Sequence, residues 1–85
     1  MYIRISEDVV IEDLGNEKLL IEMSSQEGHV IDNEAYILIK PAEKEYIHVN
    51  SLYSEVYDFD EYINFINELI SKKVLVCREH KKLKE

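Results

Sequence analysis

Apolar and polar residues alternate over the first 33 positions, and from Tyr46 onward the apolar spacing lengthens to three and four. The first pattern is that of strands and the second that of helices. Three runs, 9–13 (VVIED), 19–24 (LLIEMS) and 28–32 (GHVID), are separated by turn-like segments carrying Gly15-Asn16 and Ser24-Ser25. Val9 and Ile11 share one face of the first run. Leu19, Ile21 and Met23 share a face of the second, opposite Glu22 and Ser24. In the third, His29 and Ile31 fall together and Val30 points the other way. Such alternation predicts an antiparallel sheet buried on one side. Residues 14–18 (LGNEK) suit a hairpin loop because Gly15 and Asn16 tolerate positive φ, and residues 25–27 form a second polar turn. Residues 2–6 (YIRIS) also alternate and predict a short extra strand.

Asp32 and Asn33 are good N-caps for a first helix, with Glu34 placed at its positive end. Pro41 biases Lys40 away from helical geometry, so that helix ends near Ile39; over so few residues AYILI reads equally as a buried strand, and the capping signal favours helix. Residues 41–45 are a polar connector. A second helix is predicted over 46–57, with Val49, Leu52, Tyr53, Val56 and Tyr57 on one stripe. A third runs from a cap at Asp58 or Asp60 to about Lys73, and 74–77 (VLVC) then reads as a terminal strand or extended segment. On a helical wheel the third helix orders its apolar residues as Phe65, Leu69, Tyr62, Ile66, Phe59, Ile70 and Ile63. That arc spans about 160°, against ~100° for packing on a single core. Such a helix either touches two layers of its own domain or keeps one flank for a partner.

Eighty-five residues make one domain with a small core. Hydrophobic residues at 46% and charged residues at 33% argue for a globular chain and against disorder. The longest apolar stretch, 35–39, is far short of the ~20 residues a membrane span needs. The start MYIRISEDVV holds no apolar segment of signal-peptide length, and the single Cys77 cannot form an internal disulfide. A cytoplasmic protein without membrane contact is expected, with Cys77 as a small buried hydrophobe.

The net charge of −8 is unevenly spread. Residues 72–85 hold six basic side chains against Glu79 and Glu85, whereas 1–71 hold four basic and sixteen acidic residues, net −12. A helix-turn-helix of that sign repels DNA, so no nucleic-acid partner is expected. Residues 79–85 read as a basic, frayed tail after a domain at 1–78. No catalytic cluster, metal-ligand spacing or glycine-rich phosphate loop is present: His29, His48 and His80 are scattered, and the only glycines are Gly15 and Gly28. The chain therefore reads as a binding module, with no enzymatic activity and no cofactor.

The segment ISEDVVIEDLGNEKLLIEMSSQEGHVIDNEAYILI resembles the opening of the PqqD-like family, the recognition elements of ribosomally made, modified peptides. In that family a Leu-Asn pair closes the third strand and opens the first helix; here the pair is Ile31-Asp32, and Asp caps a helix as well as Asn does. SLYSEVYDFDEYINFINELISKKVLV is similar to the family's close, with Tyr57-Asp58 ending one helix and Leu69 through Val74-Leu75 ending the next. The likeness covers residues 5–78. The chain departs from the family at Pro41 and at AEKEY, where the first two helices join.

The resemblance implies an α+β, winged helix-turn-helix-like fold: a three-stranded antiparallel sheet followed by three helices. It also implies a function. Family members bind the leader segment of a precursor peptide as an added strand on the third strand's edge, with its side chains against the third helix. Matched to this sequence, the peptide-binding residues are Gly28, His29, Val30, Ile31 and Asp32 on the strand, and Tyr62, Phe65, Ile66 and Leu69 on the helix. The aromatic flank (Tyr62, Phe65, Leu69) is then expected to be partly exposed, and Ile63 and Ile70 to be core. The implied partners are the precursor leader peptide and a modifying enzyme: a radical-SAM enzyme, a cyclase or a leader peptidase. An exposed strand edge also leaves open pairing of two copies. A winged-helix regulator or antitoxin-like protein is the alternative, opposed by Asp58, Asp60, Glu61 and Glu68 on and before the third helix.

Overall fold

In a computed structural model, which describes residues 1–80, the chain is α+β with two three-stranded antiparallel sheets and three helices. The strands are β1 (Tyr2–Ile5), β2 (Val9–Asp13), β3 (Glu17–Glu22), β4 (Glu27–Asp32), β5 (Ile47–His48) and β6 (Leu75–Arg78); the helices are α1 (Asn33–Ile39), α2 (Val49–Leu52) and α3 (Phe59–Ser71). The expected single sheet is the meander β2-β3-β4. A second sheet, ordered β5-β1-β6, was not foreseen, and its strands lie before, between and after the helices. β1 is the central strand of this sheet, with Ile3 and Ile5 buried, and it has a neighbour on each edge. It finds them at Tyr2↔His48 and at Ile3↔Cys77, far away in sequence.

That pairing also explains the largest correction. The second helix, predicted over 46–57, is one turn only: Ile47 and His48 are claimed by β1, and His48 then caps α2 by accepting the Asn50 N–H at Nδ1. At its other end Tyr53 is extended (ψ 138°) and donates its hydroxyl to the Tyr57 carbonyl. Val49 and Leu52 keep the buried roles their spacing gave them.

Other boundaries follow their local chemistry. Asp32 caps α1 by accepting the Ala35 N–H at 2.7 Å. Lys40 remains in right-handed helical geometry despite Pro41, which opens a single 3-10 turn over Lys40–Ala42. Asp58 caps α3 through the Glu61 N–H. The helix stops at a Schellman turn: Val74 N–H donates to Leu69 and Lys73 N–H to Ile70, with Lys73 left-handed at φ 64°. Val74 is fully buried and anchors that turn before β6. Cys77, expected to be buried, is exposed. The basic tail at Lys81, Lys82 and Lys84 lies outside the described residues. Among those described, no helix is long and apolar enough to cross a membrane.

The meander's register inverts the expected faces of its middle strand. Val9↔Glu22, Ile11↔Leu20 and Leu20↔His29 place Leu20 and Glu22 inside, so Leu19, Ile21 and Met23 face outward with Val10 and Val30. Inside, Glu22 is satisfied locally. Its carboxylate accepts from Ser24 Oγ (2.5 Å), Ser25 Oγ (2.7 Å) and Ser25 N–H (2.8 Å), pinning the turn into β4, where Gln26 is left-handed. These bonds hold its pKa down at about 2, against an ordinary 4.5. A carboxyl depressed in the folded state stabilises fully above its unfolded pKa, and loses that contribution as pH falls toward the folded one. Glu22→Gln should therefore lower the melting temperature most at pH 7. Its gap to the parent should close between about pH 4.5 and 2; a gap constant with pH would show that the charge of Glu22 does not hold the turn.

Candidate peptide-binding groove

Strand β4 is an edge. It pairs with β3 alone, and no further strand covers its other side among the described residues. The hydrogen-bond pattern fixes which of its groups are open. Met23 N–H donates to Asp8 and Leu14 N–H to Glu17, so the odd residues of β3 address β2 and the even ones address β4. Asn33 N–H donates to Asn16, which independently extends the same alternation. Its consequence is that His29 and Ile31 bond inward to Leu20 and Lys18, while the N–H and C=O groups of Gly28 and Val30 and the N–H of Asp32 point to the free edge, the Asp32 carbonyl being taken by α1. Side chains follow the pleat: His29 and Ile31 are half-buried and Val30 is 53% exposed.

Beside that edge run two hollows that meet at Phe65. One is lined by Gly28, His29, Val30 and Ile31 from β4 and by Phe65, Glu68, Leu69 and Lys72 from α3. The other, a pocket of about 220 Å³, lies between the start of α1 and the start of α3, lined by Asp32, Glu34, Ala35, Leu38, Tyr57, Glu61, Tyr62 and Phe65. Together they form one groove with the open edge as one bank and α3 as the other. The strand residues named from the sequence thus all border it.

The helix residues divide differently from expectation. Tyr62, Ile66 and Leu69 are 2%, 0% and 3% exposed and form the central core stripe of α3. Tyr62 and Leu69 reach the groove only as its floor, and Ile66 lines neither hollow. Ile63 and Ile70, expected in the core, are half-buried. The excess apolar width is thus shared between both flanks of a central stripe: Phe65 on the groove side, Ile63 and Ile70 on the other. Tyr62 can sit in the core because its hydroxyl donates to the Val49 carbonyl at 2.6 Å; burial pushes its pKa up to about 12.

Several lining residues of the groove were not foreseen, Glu34 and Glu61 among them. Glu34 and Glu61 rim the pocket at the α1 end; their positions along the chain mark them only as acids at helix starts. At the opposite end Lys72 Nζ pairs with Glu68 at 2.9 Å, so its charge is met within the helix. Comparison with family models, with curated proteins and with solved structures finds no match for this chain.

Proposed function

We propose that this protein binds an extended peptide, the leader segment of a ribosomally made and modified precursor, by strand addition to β4, and presents it to a modifying enzyme or leader peptidase in the cytoplasm. The observation that carries the reading is the open edge of β4 beside a groove floored by α3. Main-chain bonds to Gly28, Val30 and Asp32 supply affinity, and alternate side chains of the ligand descend toward Phe65. In this reading the chain is a winged helix-turn-helix-like domain adapted to peptides. Its recognition helix carries Asp60, Glu61 and Glu68, the wrong sign for phosphates. Nothing in the groove is asked to perform chemistry.

Amide hydrogen exchange tests the reading with a panel of synthetic precursor leader peptides. In the unliganded protein the Val30 amide should exchange fast, and His29 and Ile31 slowly. Leader should slow Val30 and leave its neighbours little changed. Exchange at Val30 indifferent to leader would sink the proposal, and protection that grows with protein concentration alone would assign the edge to a second copy.

A further inference from the structure

The two ends of the groove differ in charge. At the α1 end, Asp32, Glu34 and Glu61 surround a floor of Leu38 and Phe65, and no cation lines that pocket. Asp32 spends one oxygen on capping α1. Among the described residues, the carboxylates of Glu34 and Glu61 have neither an ion-pair nor a hydrogen-bond partner. The far end is different, because Glu68 is met by Lys72. An apolar floor with an acidic rim matches a side chain that has an aliphatic stem and a cationic head, as lysine and arginine do.

We propose that this pocket selects a basic residue in the bound peptide, at the ligand position lying beside Asp32. The inference rests on strand addition to β4 and names the ligand's chemistry. The stem lies on Leu38 and Phe65, and the head meets the carboxylates of Glu34 and Glu61. Both acids are exposed, so exchanging them leaves the core in place at the modest cost of an acid lost from a helix start. A ligand acidic at that position would face three carboxylates and be rejected, so the pocket sets both position and sign.

A displayed library of random linear twelve-residue peptides, selected against the full-length protein, tests this whatever the natural ligand is. Enriched peptides should slow exchange of the Val30 amide and share a lysine or arginine at one position. Replacing that residue with norleucine should weaken binding roughly tenfold at low salt and much less at high salt. The double variant Glu34→Lys/Glu61→Lys, checked by thermal melting to be folded, should enrich peptides acidic at the same position. Enriched peptides that protect Val30 but are neutral or acidic there overturn the charge selection and leave strand addition standing. Peptides that bind without protecting Val30, or a library that yields none, overturn strand addition and this inference with it.

Discussion

Tyr62→Ala is expected to cost about 3–5 kcal/mol of stability, in a domain whose whole stability is of order 5–15 kcal/mol. The side chain is 2% exposed, its hydroxyl donates to the Val49 carbonyl, and its ring lies 5.3 Å from Tyr53 and 6.3 Å from Phe59. Truncation opens a cavity among those rings and orphans a carbonyl that α2 presents to it. Tyr62→Phe isolates the second term and should cost ~1–3 kcal/mol, the penalty for a buried acceptor left unpaired. Phe65→Ala is the contrasting variant. Its ring is half-buried on the groove side of α3, so it should cost the fold far less and weaken peptide binding instead. Denaturant titrations of the three variants decide between core and groove. Equal losses for Tyr62→Ala and Phe65→Ala would mean that Phe65 also belongs to the core and that the groove has no apolar wall of its own.

This reverses what the helical wheel alone suggests. The wheel shows that α3 is apolar over more than one stripe, but it cannot say where the core axis passes, since every rotation within the arc buries some hydrophobic set. The rest of the core fixes it, because Tyr62, Ile66 and Leu69 share one buried cluster with Leu75 of β6 and Ile3 and Ile5 of β1. The same blindness affects the meander. Glu22 looks like a surface residue because its two serines do not announce that they will satisfy a buried carboxylate. What was legible was local: the cap at Asp32, the cap at Asp58, the loop at Gly15 (φ 94°) and the strand positions of the meander. What was not legible depended on pairing across forty or more residues, as in Ile3↔Ile47 and Ile3↔Cys77, which no periodicity encodes. Alternation of His29 and Ile31 with Val30 gave the faces of β4, while its edge became a candidate only through the resemblance, since periodicity does not encode a strand's neighbours. Glu34 and Glu61 line one pocket only because α1 and α3 are brought together.

A proline scan of β4 should give alternating outcomes, and this is the sharpest test of the edge. His29→Pro and Ile31→Pro each delete an N–H that faces β3 and orphan the carbonyl of Leu20 or Lys18. Each should lose at least ~1–3 kcal/mol from the unpaired acceptor alone, with the displacement of the ring against β3 added. His29 and Ile31 also pack inward, so both variants should melt well below the parent. Val30→Pro removes an N–H that faces open space and replaces a side chain already 53% exposed. It should fold nearly as the parent does. Its effect falls on the ligand: one main-chain bond worth ~1 kcal/mol is lost, and the ring occupies the place of the incoming strand, so leader affinity should drop at least about tenfold. Melting curves and leader titration on the three variants give a pattern that a general loss of stability cannot imitate. If Val30→Pro unfolds while His29→Pro survives, the register is shifted by one and the open groups belong to the odd residues. If Val30→Pro folds and binds leader as tightly as the parent, the peptide does not use this edge, and the groove beside Phe65 must be read by side chains alone.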